Sequence, residues 1–277
     1  GKNNMQFRNI NHIILFGGSR CCAELSLYLE KHVDYQLDIF TCERQLNEKI
    51  YPSGTTLRDF FSENSIPFAS TEDINEEPQL KSLITENSLG LGIGEPWAFT
   101  NNIIDQFDGR LLDLMGIRLP QYRGGGHYTW QILRKNKIGC CNLQVINEDM
   151  IQSVFDSGEI VKTREYFFPA AARTPDDYFT TAVVEEIDFI KEFLDEVKNS
   201  QVFELRRIQE NFSIYFPRLN TLKHGFIDWS WDTDDIENFI CAFDEPYVGA
   251  STFLDGKKVY LKECYCEYND GPFHPFQ

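Results

Sequence analysis

The chain lacks any run of the roughly 18 apolar residues that a membrane-crossing helix requires, and its opening, GKNNMQFRN, has no apolar core of a secretion signal. The expected location is therefore the cytoplasm, with no membrane contact. Positive charge is scarce: 26 Lys and Arg face 43 Asp and Glu, for a formal net charge of -17. Affinity for nucleic acid comes mainly from Lys and Arg displacing counterions, so nucleic acid is not an expected partner. C-x-x-C spacing is missing from the eight cysteines, which fall as Cys21-Cys22, Cys140-Cys141, the close pair Cys264 and Cys266, and single Cys42 and Cys241. That pattern predicts small buried thiols and no metal centre. Internal repeats and low-complexity tracts are absent as well.

What is present is a 277-residue chain with ample apolar content for one large domain, or one large and one small. Residues 13–16 form a short apolar run closed by Gly17-Gly18-Ser19-Arg20, and residues 21–29 then carry helical spacing. The Gly-Gly-Ser-Arg turn lacks the full G-x-G-x-x-G of a dinucleotide loop, so it reads as a tight turn without a cofactor. Further strands are predicted at 35–41, 67–69, 89–93, 140–146 and 159–168, and helices at 55–63 and 128–133, while 104–107 and 111–114 lead into a glycine-rich turn. Thr174-Pro175-Asp176-Asp177 is a helix start with an N-cap, proline in the first turn and acids on the positive dipole end; the helix runs to about residue 198. Strands alternating with helices imply a parallel-rich sheet, whose ligands bind beyond the carboxyl ends of the strands.

Two domains are expected, 1–205 and 206–277, the second a linker and a smaller β-rich region. Within it a helix is predicted at 234–242, and strands at 252–254 and 259–265 around an Asp255-Gly256 turn. Trp130, Trp229 and Trp231 are expected in the core.

The most informative stretch is LPQYRGGGHYTW at 119–130, followed by FDSGEIV at 155–161. Three consecutive glycines after Arg123 suit backbone that packs close against a ligand. Taken with Trp130, the Asp156-Ser157-Gly158 loop, the Ile227-Asp228-Trp229 segment and residues 246–250, the chain resembles the formyltransferase family that uses 10-formyltetrahydrofolate. Relatives in that family act on methionyl-tRNA or on amino groups of nucleotide-linked sugars. The resemblance covers most of the chain.

It implies an α/β, Rossmann-like formyltransferase domain with a parallel-rich sheet, followed by the smaller C-terminal region. It implies 10-formyltetrahydrofolate as co-substrate and a small-molecule amine, such as an amino sugar, as acceptor; initiator tRNA is the less expected acceptor, and a homodimer is compatible with it. Position alone makes Gly94, Glu95, Pro96 and Trp97 the folate-binding candidates, with Arg123 as an anion clamp or a loop pin.

Family members carry Asn-x-His just before the LPxYRG turn and an aspartate in the later D-x-G loop. Asp156 matches the latter, whereas Asp113 and Met115 stand where asparagine and histidine are expected. An ionised aspartate has no proton to donate to a developing oxyanion, and methionine neither donates nor titrates. The catalytic candidates are thus Asp156, Asp113 and His127, with three ways out of the lesion: His127 takes the missing histidine's place, Asp156 keeps Asp113 protonated, or the site has other chemistry. Other chemistry here means folate or metabolite binding without transfer, or hydrolysis of the formyl donor.

Overall fold

The computed structural model describes residues 3–116, 127–147, 159–207 and 219–267. The chain divides into two compact units, the first of residues 1–123, 138–166 and 182–215, the second of residues 124–137, 167–181 and 216–277.

The elements begin with β1 (Asn4–Gln6), β2 (His12–Gly17), α1 (Ser19–Glu30), β3 (Gln36–Thr41), α2 (Glu43–Leu46), α3 (Leu57–Glu63) and β4 (Ala69–Ser70). They continue with α4 (Pro78–Leu83), β5 (Ser88–Ile93), α5 (Asn101–Phe107) and β6 (Leu111–Met115). Next come α6 (His127–Leu133), β7 (Ile138–Val145), β8 (Ile160–Phe167), α7 (Pro175–Lys198) and β9 (Val202–Glu204). The last are α8 (Thr221–His224), α9 (Thr233–Ala242), β10 (Ala250–Leu254) and β11 (Lys257–Leu261).

A seven-stranded sheet in the order β4-β3-β2-β5-β6-β7-β8 forms the centre of the first unit. The β2–β3, β2–β5, β3–β4 and β5–β6 pairs are parallel, and β6–β7 is antiparallel. The expected α/β class with a parallel-rich sheet is borne out. Every residue of β2 and β5 is buried, as central strands covered on both faces require. One face of the sheet carries a core of Ile14, Phe16, Phe40, Ile103 and Phe107. Phe16 packs edge-on against Phe99 and Phe107 at 5.0 and 6.1 Å.

Helix α3 starts where the sequence predicts, because Thr56 and Asp59 close a reciprocal capping box. Strand β1 pairs with β9, Met5 opposite Phe203. A cluster of Phe7, Phe193 and Phe203, with centroids 5.4 to 5.8 Å apart, packs near this pair.

In the second unit, β10 and β11 form the expected hairpin around Asp255 and Gly256, both with positive φ, as a tight two-residue turn demands. The second strand ends at Leu261, short of the predicted 265. Its continuation is held by side chains instead: the Cys264 carbonyl accepts from Arg173 at 2.5 Å, and the Cys266 amide donates to Glu237 at 2.7 Å. The tryptophan expectation needs correction. Trp229 and Trp231 are 57% and 43% exposed, because Trp229 lies across the hairpin, donating from its indole N–H to Thr252 Oγ1 at 2.8 Å, and Trp231 only meets the edge of Phe239. Trp130 is half-buried.

Candidate functional site

The candidate site lies on the first unit's sheet at β5, β6 and β7. Asp113 sits mid-strand in β6 and is buried. Its register neighbours are Gly92 on β5 and Gln144 on β7, while Met115 stands opposite Asn142. Directly paired residues project to the same side of a sheet. Asp113, Met115, Gln144 and Asn142 therefore share one face of the β6–β7 pair.

Gly92 has no side chain to place on that face, and the space is taken by a second acid. A Cβ at Gly92 would come within 2.5 Å of Glu95 Oε2, so the Glu95 carboxylate lies against the Gly92 backbone on the Asp113 side. Adjacent strands are only about 4.8 Å apart. The site thus gathers an aspartate, a glutamate and a glutamine amide across three neighbouring strands.

The loop that carries Glu95 is fixed where the carboxyl ends of the parallel neighbours β2 and β5 come close, Gly17 opposite Ile93. A Cβ at Gly17 would meet Ile93 O at 2.1 Å, and its φ of +130° also demands glycine. The Gly18 amide donates to the same Ile93 oxygen at 3.1 Å, and Gln45 Nε2 donates to Gly94 O at 2.6 Å. The Gly-Gly turn is structural in this sense: it lets the β5 carboxyl end approach β2.

Of the folate-binding candidates, Gly94 and Pro96 are exposed and Glu95 half-buried, while Trp97 is packed against the hydrophobic core. Among the catalytic candidates, Asp113 is the one whose side chain is described. His127 opens α6, with its side chain outside the described residues, and Arg123 and Asp156 lie outside them altogether.

Asn142 and Gln144 were not singled out from the sequence. The signal was available: β7 reads Cys-Cys-Asn-Leu-Gln-Val, with amides at alternate positions of a buried strand. Asn142 Oδ1 accepts a hydrogen bond from the Thr163 hydroxyl on β8, which leaves Nδ2 as the donor end of that amide.

Two other polar groupings have different roles. Ser88, His12 and Asp38 form a chain, His12 Nδ1 to Ser88 Oγ at 3.1 Å and His12 Nε2 to Asp38 Oδ2 at 2.6 Å. It resembles a nucleophile triad, but Ser88 is fully buried, so the grouping ties β5, β2 and β3 together. Glu186 of α7 is buried beside Cys21 of α1, and burial pushes its carboxyl up to about 7, with the Cys21 hydrogen bond opposing the rise. Burial and the Glu186 charge in turn hold the Cys21 thiol well above its ordinary value. Six of the eight cysteines are buried free thiols, and Cys264 and Cys266 are half-buried. No cluster among the described residues has the makings of a metal site.

Residues 221–274 match the family described as formyl transferase, C-terminal domain. A methionyl-tRNA formyltransferase of Ruminiclostridium cellulolyticum is 21% identical over 164 residues, 59% of this chain and 50% of that one. The match thus spans about half the length of this relative. An N-formyltransferase from Helicobacter canadensis, solved with folinic acid and dTDP-3-aminofucose, superposes with a TM-score of 0.61 at 17% identity, covering 84% of this chain and 80% of that one. A 4-N formyltransferase from Francisella tularensis gives 0.65 at 15% identity, covering 94% and 100%. The chain therefore has the fold of these formyltransferase structures, and its residues 221–274 match the formyl transferase C-terminal domain.

Proposed function

We propose that this protein transfers a formyl group from 10-formyltetrahydrofolate to the amine of a small acceptor, an amino sugar, most simply one carried on a nucleotide. The fold supports this, as does the Helicobacter canadensis relative, solved with a folate and an aminosugar nucleotide. The single observation that carries the chemistry is the register Gly92–Asp113–Gln144, which sets an amide directly opposite the acid that replaces the family's asparagine.

In this reading the roles on β6 and β7 are exchanged. The acceptor amine attacks the formyl carbon, forming the C–N bond as the carbonyl electron pair moves onto oxygen. Gln144 supplies the amide donor to that oxygen, and the Asp113 carboxylate takes the proton shed by the amine. Collapse of the intermediate breaks the bond to the folate nitrogen, which receives the proton from Asp113, and the carboxylate is restored. Met115 excludes water beside this pair. Gly94 and Glu95 hold the folate side of the site, and Asp156, His127 and Arg123 stay candidates by resemblance.

Formyl transfer to dTDP-linked and UDP-linked amino sugars, followed by mass spectrometry, tests the proposal. Asp113→Ala should lower kcat by about 10²- to 10⁴-fold, and Gln144→Leu by roughly 10²- to 10³-fold. Absence of transfer together with calorimetric silence towards folinic acid would overturn the reading. Folinic acid binding without transfer would instead favour a protein that holds folate and has lost the reaction.

A further inference from the structure

The second unit contains a cavity of about 350 Å³ lined by α6, the segment after β8, the start of α7 and α9. That is within the size range of small-molecule sites, about 300–1,000 Å³. Three polar groups on its wall have capacity that no described residue uses.

Lys137 is the first. Its ammonium donates to Ala172 O at 2.6 Å and lies 5.0 Å above the Tyr178 ring. It has no carboxylate in ion-pair range among the described residues. A half-buried cation without a counter-ion is unusual in a chain with 17 more negative than positive charges. Desolvation lowers its pKa, with the nearby Asp177 charge opposing the fall.

Tyr178 is the second. It is almost wholly buried, yet its hydroxyl makes no hydrogen bond within the described protein, whereas a buried tyrosine normally finds a partner. Asn238 is the third. Its Nδ2 donates to Ile132 O at 2.8 Å, which fixes the amide orientation, and its Oδ1 accepts nothing from the described residues. Lys135, also on the wall, is paired at 3.0 Å with the exposed Asp235. Such a surface pair is weak and readily exchanged.

We propose that this cavity binds a small phosphorylated sugar, with the phosphate on Lys137 and Lys135 and the sugar hydroxyls on Asn238 Oδ1 and the Tyr178 hydroxyl. Two lysines lining one cavity suit a dianionic phosphate monoester. Asn238 Oδ1, which accepts from no described residue, suits a ligand that carries hydroxyl donors. Arg173 does not take part, since its guanidinium is held by Glu237 and Cys264 O. The inference is independent of formyl transfer, because no folate enters it.

Calorimetry on the full chain, with glucose 6-phosphate, glucose, inorganic phosphate and UDP-glucose as separate probes, tests it. Glucose 6-phosphate should bind, and glucose and inorganic phosphate should each bind at least tenfold more weakly. Lys137→Met should weaken glucose 6-phosphate roughly tenfold to a hundredfold. Tyr178→Phe, which removes one oxygen from a buried ring and keeps the fold, should weaken it severalfold. The proposal is overturned if 10-fold discrimination against glucose or phosphate is missing, if UDP-glucose binds and glucose 6-phosphate does not, or if Tyr178→Phe, shown folded by circular dichroism, binds unchanged.

Discussion

Glu186 is a buried carboxyl whose titration links stability to pH. Its carboxyl is pushed from 4.5 to about 7 by burial. Between those values the unfolded chain has released the proton that the native state keeps, so this group's contribution to stability falls as pH rises through the window. Above about pH 7 the native state carries the full cost of the ionised buried group, about 3 kcal/mol. Glu186→Gln should therefore be more stable than the wild type at pH 8 by up to that amount, with the gap closing by pH 4.5. Urea unfolding of both proteins at several pH values measures it. His12 makes the opposite prediction, since it fills both ring nitrogens with partners on neighbouring strands. His12→Leu removes these two hydrogen bonds, leaving Ser88 with Thr85 and Leu83 and Asp38 with Gln36, and should cost about 2 kcal/mol in the same assay. Neither effect is legible in the sequence: a lone His or Glu in an apolar context has no partner until the strands are ordered. Counting back from the LPQYRG turn singles out Asp113 by resemblance alone; the structure adds that it is buried mid-strand, opposite Gly92 and Gln144. Glu95 was legible only as a position, and its contact with Gly92 arises from tertiary packing.

At the level of elements, the close approach of β2 and β5 at Gly17 and Ile93 is the most demanding feature. Gly17→Ala would force a methyl onto Ile93 O at 2.1 Å while keeping a left-handed φ, and should cost about 3 kcal/mol or more. A melting experiment should show a fall of roughly 6–12 °C for a unit of this size. The Thr56 capping box makes a milder case, where Thr56→Ala should cost about 1 kcal/mol. The sequence announced these elements well where pattern is strong. Strands β2 and β5 are uninterrupted apolar runs, and α3 and α7 open on caps. It announced β1 and β9 not at all, since three residues show no periodicity and their pairing closes a separation of about 200 residues. The end of β11 was misjudged for a related reason: residues 262–265 keep an alternating look, but Arg173 and Glu237 bind their backbone.

For the whole molecule, the net charge of -17 predicts little non-specific nucleic-acid affinity; a gel-shift assay at 150 mM salt should leave duplex DNA unbound at micromolar protein. The fold class was readable from alternating strands and helices, and the C-terminal family match agrees with the Ile227-Asp228-Trp229 segment that suggested it. The two units draw on three segments each, so their division does not follow from composition along the chain, which marks changes of content and not returns of the chain to an earlier body. That interleaving has a consequence for recombination. The second unit's cavity takes its walls from residues 132–137, 170–178 and 234–241, so a chimera that exchanges only the C-terminal 221–274 with a relative would import half of a pocket. Specificity housed there can be inherited or swapped only when all three stretches travel together.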